Sequence, residues 1–136
     1  MTDPTDVNVK EWPTIVPSGS GKVKVLQSTG VSSGSPRTLH DVETGADYQV
    51  PVGKKFLVTA IMFSSGTFTY GIVCEFWNAT TADTANNKLM DGFVGLRNFT
   101  PYGAKLEFTA SRYPTIENSD GVNNMSFIMI GIEEDA

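Results

Sequence analysis

Residues 56–63, Phe-Leu-Val-Thr-Ala-Ile-Met-Phe, place apolar side chains at both odd and even positions, so a strand made from them has two apolar faces and both must be covered. The run is entered through Tyr48-Gln-Val-Pro-Val-Gly53. There Pro51 fixes φ and withholds a donor, while Gly53 takes φ > 0 at no steric cost. A punctuated turn feeding such a run is the mark of a β-protein.

The rest of the chain repeats the pattern. Its 136 residues suffice for one core, and no long window keeps a 3.6-residue period. With 18% of residues charged and Gly, Ser, Thr and Asn abundant, the balance favours strands and turns over solvated helices. Alternation predicts strands over residues 22–27, 37–42, 55–64, 68–77, 88–96, 104–111 and 124–133, about eight in all once weaker stretches are counted. Gly66 suits a tight hairpin pairing 55–64 with 68–77. In the second of these, Phe68, Tyr70, Ile72, Cys74 and Phe76 share the core face, opposite Thr69, Gly71, Val73, Glu75 and Trp77. Asp91, Gly92 and Gly95 predict a bulge. Leu106 and Phe108 point inward, Lys105 and Glu107 outward. Residues 43–47 read as a turn, and the stretch carrying Pro114 and Asn118-Ser-Asp-Gly121 reads as a loop. The near-continuous run at 124–133 demands a central, two-sided strand. The expected fold is a single-domain antiparallel β-sandwich over residues 22–136, with a jelly roll as the preferred topology and an immunoglobulin-like sandwich as its rival.

Residues 1–21 differ. Pro4, Pro13 and Pro17 interrupt every element there, and Ser18-Gly-Ser-Gly21 reads as a flexible joint, which makes the segment an arm. Trp12, Ile15 and Val16 are too apolar to be left in water. They should dock, either over a sheet edge of their own domain or on another chain.

A net charge of −5 with ten scattered Lys and Arg opposes direct nucleic-acid binding. Cys74, the single cysteine, allows no intramolecular disulfide and fits a reducing site of synthesis. The polar, acidic N-terminus lacks a signal-peptide pattern and the apolar runs are too short to span a bilayer, so no membrane partner is expected. In that context the acceptor patterns at Asn78, Asn98 and Asn124 are chance matches.

No arrangement declares a chemistry. Gly30-Val-Ser-Ser-Gly34 has the letters of a nucleophile elbow, but no helix follows Ser32 and His40 is the sole histidine to serve as base, so a Gly/Ser loop explains it. Ser18-Gly-Ser-Gly-Lys22 departs from a phosphate-binding loop at Val16 and Val23. His40 beside Asp41 reads as a surface residue. Glu75 and Glu107 lie on solvent faces, residues 133–135 form a solvated acidic tail, and Asp83, Asp91 and Asp120 lack the spacing of a calcium loop. No catalytic residue, cofactor or metal is expected. The remaining handles are Trp77, Tyr102, Tyr113 and, in the arm, Trp12.

Tyr48-Gln-Val-Pro-Val-Gly-Lys-Lys-Phe-Leu-Val-Thr-Ala-Ile61, then Pro101-Tyr-Gly-Ala-Lys-Leu-Glu-Phe108, then Ile130-Gly-Ile-Glu133 resemble the small jelly-roll virion proteins of tailed bacteriophages. The likeness spans most of residues 37–134 and transfers no site residue. It implies a non-enzymatic capsid decoration or cement protein, commonly a homotrimer, that binds the outer face of a shell. The partner would be the major capsid protein or another virion protein, the location the virion after assembly in the host cytoplasm, and the arm a clamp. The interface candidates are Trp12, Ile15, Val16, Trp77, Tyr102 and Tyr113. The alternative is a carbohydrate- or receptor-binding sandwich module of a tail or fibre, using Trp77, Tyr102 or Tyr113 as a stacking platform.

Overall fold

The computed structural model describes residues 21–65, 72–93, 98–99, 106–121 and 123–136. Among them the chain forms no helix and ten strands: β1 (Lys22–Val31), β2 (Arg37–Thr38), β3 (His40–Asp41), β4 (Lys54–Ser65), β5 (Ile72–Ala79), β6 (Lys88–Phe93), β7 (Asn98–Phe99), β8 (Glu107–Phe108), β9 (Tyr113–Asn118) and β10 (Met125–Asp135). They make two antiparallel sheets. The larger runs β3-β1-β10-β4-β7 with β8 also on β4, and the smaller runs β2-β9-β5-β6. The sheets pack face to face as a β-sandwich.

The two-sided runs lie where their sequence demands. β10 pairs with β1 on one side and with β4 on the other. Met125, Phe127 and Met129 of β10 and Phe56, Val58, Ile61 and Phe63 of β4 are buried between the sheets, where Phe76 and Ile116 of the smaller sheet meet them. Phe76 stands at 90° to Phe127 with ring centroids 6.2 Å apart, joining the layers edge to face. Each such side chain contributes about 1.5–3 kcal/mol by leaving water.

Several expectations change. β4 does not pair with β5: β4 takes β10 on one edge and β7 and β8 on the other, while β5 takes β9 and β6, and Val73, expected on the outward face of β5, is buried in the core at a register shift between Ile72 and Cys74. With every edge occupied, β4 and β5 face each other across the core, and Gly66 with the expected hairpin lies outside the described residues. The predicted strand 37–42 splits, since Arg37 and Thr38 join the smaller sheet, His40 and Asp41 the larger, and buried Leu39 crosses between them. The expected Pro114 loop is β9, an inner strand. Pro114 is tolerated at its second position, where its carbonyl accepts the Leu39 N–H at 2.8 Å. β1 extends past residue 27 to Val31 through an irregularity at positive-φ Gly30. The 104–111 stretch contributes the short β8, with Leu106 and Phe108 inward as predicted. The bulge expected near Gly92 is present as register shifts between β5 and β6. Residues 133–135 are not a tail but the end of β10. Glu133 accepts the Tyr48 hydroxyl at 2.6 Å, and Asp135 meets Lys54 at 2.6 Å.

Gly131 marks the tightest approach. A Cβ there would lie 2.5 Å from the Leu57 carbonyl oxygen and 2.5 Å from Phe56 Cζ. The carbonyl belongs to the paired strand and cannot yield. Gly131→Ala should lower stability by about 1–3 kcal/mol in urea unfolding, and an unchanged midpoint would disprove that packing.

Candidate functional site

The larger sheet turns an apolar surface away from the core. On the outward positions Val23, Ile132 and Leu57 lie in register across β1, β10 and β4, followed by Val25, Ile130 and Ala60, then Gln27, Ile128 and Met62. Val23, Val25, Met62 and Ile128 are each 37–39% exposed, and Leu57, Ile130 and Ile132 are half-buried. This is the second face that 56–63 and 124–133 must present once their first face is in the core. An apolar surface continuous across three paired strands is the kind of patch that marks an interaction site. Two shallow depressions border it. One of about 170 Å³ is lined by Val23, Val25 and Val42 together with Lys24, Asp41 and Glu43; the other, about 110 Å³, lies at Met62 and Ile128.

A different, polar depression of about 280 Å³ opens where β1 ends, between Ser28, Ser32, Arg37, His40, Asp47 and Asp83. It gathers Ser32 of the Gly30–Gly34 string and His40 in one place. His40 Nε2 lies 3.0 Å from Asp47 Oδ1, so its carboxylate neighbour is Asp47 and not Asp41, which alternation turns to the other side. Asp83, at φ 52°, clips its loop to β2: its carboxylate accepts the Thr38 N–H and its own N–H donates to Thr38 Oγ1, each at 2.9 Å.

The smaller sheet's outward face is polar. Asp91, Glu75 and Glu117 lie in register across β6, β5 and β9, and burial beside Glu75 raises the Glu117 carboxyl above its ordinary range. Trp77 and Tyr113 share this face diagonally, since Trp77 pairs with Thr115 and Ala79 with Tyr113. Trp77 is half-buried with the Lys88 ammonium 5.7 Å from its ring centroid, and its indole N–H is buried without a partner. The platform is therefore partly occupied. Trp12, Ile15, Val16 and Tyr102 lie outside the described residues. Glu75 and Glu107 are on different sheets, and among the described residues no three His, Cys, Asp or Glu side chains come together in a way that could hold a metal ion.

Lys24 alternates with Val23 and Val25 and so lies on the other side of β1, where it joins Asp41 and, at 3.5 Å, Glu43. Lys24 donates to Asp41 at 2.7 Å, with the two side chains 12% and 9% exposed. Burial works against both charges, but the hydrogen bond and mutual attraction prevail, holding Asp41 below and Lys24 above their ordinary values. Burial likewise raises the Tyr48 phenol, with the bond to Glu133 adding to it, and pushes the Cys74 thiol up to about 12.

No protein family, curated protein or solved structure matches this chain. The outward residues Val23, Val25, Met62 and Ile128 are absent from the aromatic candidates that the sequence nominates. Their signal is the two-sided apolar run itself, which predicts that something covers the strand without saying what.

Asp41→Asn should destabilise by about 1–3 kcal/mol at pH 7, because it removes the nearer of the two carboxylates on largely buried Lys24 and leaves only Glu43, at 3.5 Å. Asp41 is depressed, so its contribution is present above the ordinary carboxylate value and lost as pH falls through the folded one. The gap to wild type in urea should therefore close below about pH 4; a constant gap would refute the pairing. Buried Cys74, with its raised pKa, should resist a disulfide reagent at pH 8 in the folded protein and react fully in denaturant. Equal rates would show that the thiol is accessible.

Proposed function

We propose that this chain is a non-enzymatic structural protein of a virion surface, a decoration or cement protein that binds and stabilises the outer shell of a bacteriophage head as a homotrimer. The observation that carries this reading is the apolar outward face built by β1, β10 and β4. It is three paired strands wide and backed by a packed core, so it offers a preorganised contact surface with little ordering left to do on binding. Lys55–Glu134, next to the Leu57–Ile132 row on the same side of the sheet, borders it with charge, as the polar margin of a protein interface does. The resemblance of residues 37–134 to phage virion proteins supplies the partner, and jelly-roll connectivity belongs to the same proposal. The glycan-binding alternative draws on Trp77 and Tyr113 sharing a face, but the Lys88 ammonium already lies over the Trp77 ring.

Purified protein should have the solution mass of a trimer by light scattering and should co-sediment with emptied heads of the phage that encodes it. Met62→Glu combined with Ile128→Glu alters half-exposed positions, so the fold should survive while co-sedimentation falls at least tenfold. A tenfold loss corresponds to about 1.4 kcal/mol, a small part of what burying two such side chains contributes. Undiminished binding by the double variant would remove this face from the assembly contact.

A further inference from the structure

We propose that the polar depression at the end of β1 is a binding site for a single neutral sugar ring, held by two adjacent hydroxyls between the pairs Arg37–Asp83 and His40–Asp47. The site does not depend on the shell-binding reading.

Size and lining select the ligand class. The hollow, about 280 Å³, lies just under the size of ordinary ligand pockets, which begin at about 300 Å³, so one ring fits and a longer glycan would run out of its mouth. Among the described residues of its wall Val31 is the one aliphatic side chain, and at 2% exposure it offers an apolar ligand little to pack on. An anion would face the carboxylates of Asp47 and Asp83. A carboxylate only accepts hydrogen bonds and a guanidinium only donates them, whereas a hydroxyl does both. A polyol is therefore the neutral ligand that satisfies this wall.

Geometry supplies the seat. Arg37 Nη1 and Asp83 Oδ2 are 3.9 Å apart, too far to hydrogen-bond each other. A hydroxyl oxygen about 2.8 Å from each fits that gap, accepting from the guanidinium and donating to the carboxylate. Asp83 Oδ1 is committed to the Thr38 N–H at 2.9 Å, so Oδ2 is the oxygen that serves the ligand. Across the hollow His40 Nε2 stands 3.0 Å from Asp47 Oδ1, and the second Asp47 oxygen accepts from the neighbouring hydroxyl.

The walls are fixed before anything binds. Thr29 and Gly30 of β1 together oppose Ser126 of β10, a bulge of the kind that re-aims side chains at a strand end. The Gly30 N–H donates to Ser126 Oγ at 3.3 Å, and buried Asn118 donates to the Val31 carbonyl at 2.8 Å. Asp83 keeps its φ of 52° through two bonds to Thr38, the over-determination that such a backbone needs. Little ordering is left for a ligand to impose.

The full chain, isotope-labelled, is titrated with D-mannose, D-galactose and D-glucose. At least one should shift the amide signals of Thr29, Gly30, Ser32, His40 and Asp47 saturably, with a millimolar dissociation constant, while Val23, Val25 and Ile128 on the apolar face stay unchanged. Arg37→Ala and Asp47→Asn alter side chains that are 57% and 41% exposed, so the spectrum away from the hollow should survive. Each should weaken binding about tenfold, the loss of one charge-assisted hydrogen bond. No saturable shift from any of these hexoses would overturn the site, as would shifts centred on the Trp77 indole or binding that both variants retain in full. Saturable shifts at the hollow from sodium phosphate or calcium chloride alone would make it an ion site and overturn it equally. Co-sedimentation with heads is scored separately, so its failure would remove the shell-binding reading and leave the sugar site standing.

Discussion

Everything in this molecule is arranged around the antiparallel ladder between β4 and β10. Each residue of β10 has a partner on β4, and the first seven, beginning at Lys22, of β1 continue the ladder on the other side. Both strands carry apolar side chains on both faces. Burying one face against Phe76, Ile116 and their neighbours builds the core, and the pleat then forces the remaining Val, Ile, Leu and Met side chains outward. The outward surface is a consequence of the ladder's composition. No rotation of the strands could hide both sets at once.

This explains what was legible in the sequence. Period-two patterns located the long strands and the inward Cys74, Phe76, Leu106 and Phe108, because alternation reports which side chains share a face. Pairing was less visible. The Gly66 signal suggested a hairpin, yet β4 and β5 belong to opposite layers, because strand order depends on which edges are already occupied, and a local pattern carries no record of that. β9 was hidden behind Pro114, since the proline's disfavour in sheets is decided by whether its missing N–H is needed there. The acidic end of β10 looked like a tail because the partners of Glu133 and Asp135, Tyr48 and Lys54, are distant in the chain.

The candidate site follows the same division. That a second face needed covering could be read from residues 56–63 alone. Which residues of β1 would complete it could not, because Val23 and Val25 acquire their neighbours Ile132 and Ile130 only through long-range register. The polar depression shows the converse. Ser32, His40 and Asp47 come from separate stretches into one hollow, where Asp47 engages the imidazole, a partner that no local pattern in the sequence named.

The crossing at Leu39 has a mechanical consequence. Its N–H is tied to Pro114 in one layer and its carbonyl to Tyr48, and a single residue separates β2 from β3. The two layers are stitched there like the leaves of a book at its spine, with almost no slack for one to slide over the other. Relative sliding of the two sheets is therefore blocked at this margin, and the outward faces of both layers keep a fixed alignment with the core between them.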